Sequence, residues 1–330
     1  MATVPPHPET LKYHPHRHFS HQEETKMAGT DVAESDQSTA MSLPGGGYHK
    51  CWYPVIFSAE VQAGTSVGLE FCDDRIVVWR GADGHAQAAI PYCKHMGADL
   101  SVGDVMGNDL RCPFHHWQYG PDGACTTIPS GDRIPASARL TTLPTEERRG
   151  MIWVFLGTEP LYEVPDLLEW DPETMAGRYF EVQLTEPLRV DPWIFASNAF
   201  DYQHLRVLHN SPIDSDASTM EIHEHSIDSN FVMTNEHGGQ INFNSITLYG
   251  TNSLVTHARR GGHLAQHIGA GSPLGSKGTK FFLFITTPAA GVDGRKESDV
   301  QHDLDILQKM HTQLFNEDVP VLNSIRPGRN

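Results

Sequence analysis

The sequence predicts an α+β chain, with a small all-β domain in front and a strand-rich domain closed by a terminal helix behind it. Three observations carry this. Short runs rich in Val, Ile, Trp and Phe, punctuated by Gly and Asp, fill the first half. Further strand-like runs follow Pro160. Residues 303–325 repeat apolar side chains with the period of an amphipathic helix. A chain of 330 residues suits two such domains.

Taken in order, residues 1–46 are polar and irregular, with Pro5-Pro6, Pro8, Pro15 and five histidines between His7 and His21. No period of 2 or 3.6 runs through them, so a disordered tail with solvated histidines is expected. Gly45-Gly46-Gly47 leads into folded sequence. In the first domain, 47–160, residues 66–71, 75–80, 87–92 and 150–156 read as strands. In the second, 161–330, residues 178–185 alternate like a strand, and 187–209 read as one helix with Pro192 in its first turn. Residues 240–249, 253–258 and 280–287 are further strands. The stretch 261–278 holds six glycines in 18 residues and reads as a mobile loop.

Charge narrows the function. With 24 basic and 41 acidic residues the net charge is −17, which repels nucleic-acid backbones and anionic membrane surfaces. The longest apolar runs, 151–156 and 281–285, fall far short of the about 20 residues of a membrane helix. The first 30 residues lack the apolar stretch of a signal peptide. Five cysteines, an odd number with no Cys-x-x-Cys pair, argue against a disulfide framework and suit the reducing cytoplasm.

Two constellations carry chemistry. In the first, Cys93-Lys94-His95 is followed, after 16 intervening residues, by Cys112-Pro113-Phe114-His115. Each half offers one thiolate and one imidazole, a donor set for iron–sulfur or zinc. In a Rieske [2Fe–2S] centre two cysteines hold one iron and two histidines the other, which raises the potential to roughly −150 to +300 mV. A structural zinc site is the competing reading, but zinc fingers pair their cysteines together and their histidines together. His116 competes with His115 as ligand; the two-residue gap after Cys112 favours His115. Cys51, Cys72 and Cys125 have no histidine at such spacing and read as ordinary core or loop residues.

The second constellation is Asn198-Ala199-Phe200-Asp201-Tyr202-Gln203-His204 followed by His209. Two histidines and a carboxylate on one face of a metal leave positions open for O₂ and substrate, as in non-haem Fe(II) oxygenases. Five residues on a regular helix separate His204 and His209 by about 140°, so the helix must end or bulge between them. Asn210-Ser211-Pro212 supplies a stop. Asp201 is placed to orient the imidazole of His204 through its non-ligating nitrogen. Spacing leaves the third ligand open among Asp293, Asp299, Asp303, Asp305 and Asp318.

On these residues the chain resembles the Rieske non-haem iron ring-hydroxylating oxygenases, in the monooxygenase branch that includes aminopyrrolnitrin oxygenase and 3-ketosteroid hydroxylase. The likeness is carried by 111–119 (Arg-Cys-Pro-Phe-His-His-Trp-Gln-Tyr), by 123–129, and by the Asn-x-x-Asp-x-x-His-x4-His run at 198–209. It implies a Rieske domain followed by a helix-grip type catalytic domain. It implies that Cys93, His95, Cys112 and His115 hold the [2Fe–2S] cluster and that His204 and His209 bind mononuclear Fe(II). Asp201 would bridge His204 to a Rieske histidine of a neighbouring subunit, with Asn198 in the outer shell. The likeness favours Asp318 as third ligand, because Glu317-Asp318-Val319-Pro320-Val321-Leu322 and then Arg326-Pro327-Gly328 resemble the helix around the ligand aspartate. Pro320 is expected to kink that helix. The likeness further implies a small organic substrate (aromatic, arylamine or polycyclic), O₂, a homotrimer, and a separate NAD(P)H reductase with or without a ferredoxin. The absence of a Gly-x-Gly-x-x-Gly run agrees with a separate reductase. Family members continue well past the ligand aspartate, whereas this sequence ends 12 residues after Asp318, so a shortened C-terminal cap is expected. A non-catalytic Rieske electron carrier is the rival class, and the length of the second domain argues against it.

Overall fold

The computed structural model describes residues 48–234, 240–260 and 263–325. The histidine-rich tail expected at 1–46, and the Arg326-Pro327-Gly328 end of the C-terminal likeness, lie outside them. The first half is built of β1 (Trp52–Phe57), β2 (Thr65–Phe71), β3 (Asp74–Arg80), β4 (Ala86–Ala89), β5 (Asp104–Met106), β6 (Asp109–Arg111), β7 (Gln118–Tyr119), β8 (Cys125–Thr127), β9 (Thr142–Leu143), β10 (Thr145–Arg148) and β11 (Met151–Phe155). They form three small sheets, ordered β1-β11-β10, β2-β3-β4-β9 and β5-β6-β7-β8. The β2–β3 hairpin turns on Cys72 and Asp73, both at positive φ, the backbone twist that two-residue hairpins require. The loops β4–β5 and β6–β7 carry the first constellation.

The second half contains β12 (Met175–Glu181), α1 (Pro192–Ser197), α2 (Tyr202–Val207), β13 (Ile213–Ile222), β14 (Ser226–Thr234), β15 (Gln240–Tyr249), β16 (Ser253–Arg260), β17 (His263–Pro273), β18 (Thr279–Pro288) and α3 (Glu297–Ser324). Its strands make one antiparallel sheet, β12-β18-β17-β16-β15-β14-β13. Helix α3 packs on β18 and β12 through Val300, Leu304, Val319 and Leu322.

Four expectations are corrected. The glycine-rich stretch read as a loop is largely β17, paired on both sides. Its glycines serve packing: a Cβ on Gly271 would stand 2.9 Å from the Phe281 ring. The single helix expected over 187–209 is broken into α1, a 3₁₀ turn at Asn198–Phe200, and α2. Asp201 takes extended backbone there, and its carboxylate accepts from the amides of Gln203 and His204, so it starts a new helix instead of continuing the old one. Strands β13 and β14 lie in sequence that gave no strand signal, because β13 is largely exposed and polar. Helix α3 begins six residues earlier than expected, where Asp299 accepts from the Lys296 amide, and it runs on through Pro320.

The two halves share a core. Trp52, Trp153 and Phe155 from the first pack on Val255, Ile268, Phe282 and Phe284 from the second. Across the same seam the Trp52 indole donates to Tyr162 O at 2.8 Å, and Asn252 donates to Trp52 O at 3.1 Å. Among the described residues no helix is long and apolar enough to cross a membrane.

Candidate metal centres and the adjoining cavity

The two Cys/His loops are built alike. Cys93 O accepts from Gly97 N, and Cys112 O accepts from His116 N, each four residues on. The amides of Cys93 and Cys112 in turn donate to Ala98 O and Trp117 O, each five residues on. Gly97 and His116 occupy matching left-handed positions, with φ of 74° and 58°. His116 is thus the turn residue, and His115 is the histidine whose ring stands against that of His95, 4.6 Å between centroids. Trp117 stacks flat on His95 at 4.7 Å. Both sulfurs are buried and both imidazoles are exposed. Burial pushes the Cys112 thiol up, while the amides of Phe114 and His115 pull the other way. Tyr119, wholly buried, places its hydroxyl 3.2 Å from Cys93 Sγ and accepts from Lys94 N at 3.0 Å. Two thiols inward and two imidazoles outward fit a two-iron cluster with sulfur ligation at one pole and nitrogen ligation at the other. Cys51, Cys72 and Cys125 are buried free thiols in the apolar cores.

The break at Asp201 and the end of α2 at Val207 bring the second pair together. His204 sits in α2 and His209 in the turn after it, so a five-residue gap ends with ring centroids 4.7 Å apart. Asp318 comes from α3. Its Oδ1 lies 2.8 Å from His204 Nε2 and 3.0 Å from His209 Nε2. One donor atom from each of the three falls within 4.8 Å of the others. The far nitrogens define the chemistry. His204 Nδ1 is 3.0 Å from the backbone carbonyl of Asn198, which can only accept. His209 Nδ1 is 2.9 Å from the Glu317 carboxylate. Glu317 is held below the usual carboxylate range by a bond from Gln313 and then by His209. Both Nδ1 atoms therefore carry a proton, and each Nε2 faces Asp318 Oδ1 at hydrogen-bond distance. A positive charge satisfies that arrangement in either of two forms: an imidazolium, which the Asp318 hydrogen bond favours by pushing His204 up from its ordinary value against the opposing effect of burial, or a metal ion that takes the place of the proton on Nε2. The donor set fits a divalent metal held by two imidazoles and one carboxylate.

The triad opens on a cavity of about 220 Å³ with mainly apolar walls, among them Phe195, Phe231, Leu254, Phe281 and Phe315. Trp170 and Tyr249 pack into the seam between the two halves.

Residues 51–144 match the family described as the Rieske [2Fe-2S] domain. This part of the chain is a Rieske domain. Over 194 residues the chain is 30% identical to aminopyrrolnitrin oxygenase of Pseudomonas fluorescens, covering 54% of this chain and 53% of that protein. It is 32% identical over 173 residues to cholesterol 7-desaturase of Bombyx mori, covering 51% and 37%. The chain thus spans between about a third and a half of these relatives. A solved structure of the Pseudomonas putida CBB5 protein NdmA, a mutant with theobromine, superposes with a TM-score of 0.64 at 23% identity, over 85% of this chain and 83% of that one. That likeness is one of fold, and it extends well beyond the Rieske domain.

Behind the Rieske domain, the other carboxylates weighed for the triad are engaged elsewhere. Asp299 caps α3, Asp303 pairs with Arg295, and Asp305 pairs with Arg178. Asp293 sits in the turn before α3. Asp201 differs from expectation: its bond to His204 is to the backbone amide, and the imidazole nitrogen it was expected to orient is taken by Asn198 O. Asn198 acts through its main chain. Glu317 was not singled out in the sequence, although it stands beside Asp318 in the quoted run.

Proposed function

We propose that this protein is a Rieske-type non-haem iron oxygenase, the terminal component of a monooxygenase system. The observation that carries this reading is the triad. One nitrogen each from His204 and His209 and a carboxylate oxygen of Asp318 lie within 4.8 Å of one another beside an apolar cavity, in a chain that also bears a Rieske domain. Cys93, His95, Cys112 and His115 would hold the [2Fe–2S] cluster, and His204, His209 and Asp318 the Fe(II). When bound, the cluster supplies electrons and the iron supplies the activation of O₂. The chain's own residues do the rest. Asn198 and Glu317 fix both histidine tautomers so that Nε2 faces the metal. The aromatic wall keeps water out and holds a small organic substrate beside the open metal positions. Asp201, exposed at the start of α2, spends one carboxylate oxygen on the helix amides and keeps the other for a Rieske histidine of a neighbouring subunit. A separate NAD(P)H reductase, with or without a ferredoxin, supplies electrons in the cytoplasm, and the assembly is a homotrimer.

The test is metal analysis joined to turnover. The native chain should contain acid-labile sulfide and iron beyond the cluster's two, and with a surrogate reductase it should oxygenate small aromatic compounds or arylamines. Asp318→Ala should lose the extra iron and all product while keeping the Rieske absorption. Stoichiometric zinc without sulfide, or full extra iron in Asp318→Ala, would overturn the reading.

A further inference from the structure

One position in the cavity wall carries less side chain than its surroundings allow. The sheet side of the cavity is lined by Leu254 of β16, Gly269 and Gly271 of β17, and Phe281 and Leu283 of β18. Residues 269 and 271 share a face of β17, while Ile268 and Ala270 enter the seam core on the other. The two glycines differ. A Cβ on Gly271 would stand 2.9 Å from the Phe281 ring, 3.0 Å from the Thr279 methyl and 3.2 Å from Pro192 Cβ, so packing there admits no side chain. A Cβ on Gly269 would meet only the Leu283 side chain, at 3.5 and 3.6 Å, which is ordinary contact. Gly269 has no left-handed φ either. Backbone and neighbours both accept alanine at 269, and glycine inside a strand is the less stable of the two. What a side chain would take away is space in the cavity: Gly271 is buried, whereas Gly269 is half-buried and lines that space.

The space has a shape. Leu254 and Leu283 lie directly opposite Gly269 in register, one on each side. Neighbouring strands are about 4.8 Å apart, so the bare backbone at 269 is the bottom of a slot between two leucines, narrow in one direction and open along the strand. The edge of a flat ring fits such a slot. The triad lines the same cavity from the helical side, on α2, the turn after it and α3. Volume sets the length of the occupant: an apolar cavity of about 150 Å³ accepts benzene, and this one, at about 220 Å³, leaves room beyond a single ring.

We propose that Gly269 sets the size of the substrate: its missing side chain admits the second ring of a flat, two-ring compound, and a side chain there confines the cavity to one ring. The inference rests on the oxygenase reading for what happens at the triad, but the size preference is independent of it. Phenol and 2-naphthol each carry one hydroxyl and differ by a ring. Calorimetric titration of the full, metal-loaded chain without reductant should show 2-naphthol bound about tenfold tighter or more, because a further ring leaves water. Gly269→Ala should cut this ratio several-fold, and Gly269→Val should bring it to about one or below, as overfilling a packed site does. Gly269→Ala should keep the Rieske absorption and melt at or above the native midpoint, a result that a glycine needed for the fold would not give. Gly271→Ala should melt lower. Should Gly269→Val fail to fold, Gly269→Ala alone decides. A native ratio near one, a ratio unchanged in the folded variants, a Gly269→Ala midpoint below the native one, or no binding of either compound at millimolar concentration overturns the proposal. A ratio that shifts as expected without oxygenated product under electron supply keeps the size role of Gly269 and removes the oxygenase; product with a ratio indifferent to residue 269 does the reverse.

Discussion

At the scale of single residues, the two groups with most leverage are ones that touch the proposed ligand atoms without being ligands themselves. Glu317 holds the proton on His209 Nδ1 and thereby aims Nε2. Glu317→Ala should leave the triad in place but weaken metal retention by about 10–100-fold, the usual cost of losing such a partner. Iron content after titration with a competing chelator checks this, with the Rieske absorption as the internal control. Tyr119 acts on the other centre. Because Lys94 N already donates to its oxygen, the hydroxyl proton is available to Cys93 Sγ. A donor to sulfur favours the reduced, more negative cluster. Tyr119→Phe should therefore lower the potential. One hydrogen bond of about 0.5–1.5 kcal/mol corresponds to about 20–60 mV for one electron, read by redox titration of the visible spectrum.

Elements decide whether those residues meet. Asp201 starts α2 with two accepted amide bonds, so Asp201→Ala should cost about 1–2 kcal/mol of stability. Asp201→Asn keeps an accepting oxygen and should cost much less. If Asn also re-oxidises its cluster with O₂ and substrate at the native rate, the residue is a helix cap only. In the Rieske domain, Arg80 clasps Glu147 through two nitrogens, at 2.6 and 2.8 Å, and joins β3 to β10. This hydrogen bond leads the causes that hold the Glu147 carboxyl below its usual range. A depressed carboxyl stabilises the fold above its unfolded value of about 4.3 and loses that contribution as pH falls through the lower folded value. Glu147→Gln should be less stable than the native chain by about 1 kcal/mol at neutral pH, discounted for its partial exposure. That gap should close below about pH 4, as denaturant titrations across pH would show. Much of this level was legible in the sequence. The Cys-His-Cys-His order announced two equivalent loops, and the five-residue gap between His204 and His209 announced a break. The position of the break was not legible, because a capping bond from Asp201 competes with helix continuation only once its neighbours are in place. Strand β13 escaped because an exposed polar strand carries no alternation. The glycines of β17 misled because room for the Phe281 ring leaves the same residue type as a flexible loop. Glu317 and the carbonyl of Asn198 act on histidines distant in sequence or through main chain, and no local spacing records either.

At the scale of the whole molecule, the halves are joined by a common core rather than a linker. Trp153 is fully buried in it, so Trp153→Ala should cost about 3–5 kcal/mol. The visible absorption of the cluster and the far-ultraviolet circular dichroism of the large sheet should then be lost in one shared transition at a lower midpoint. Two separate transitions would show that the seam transmits nothing. The arrangement of the Cys/His loops has a consequence at the same scale. The thiols face inward and the imidazoles face solvent. A cluster mounted this way would be insulated at its sulfur pole and open at its imidazole pole. On the proposed function its charge would leave by the imidazole edges, so a lone copy of this chain would be half a circuit that conducts only when another surface closes the contact.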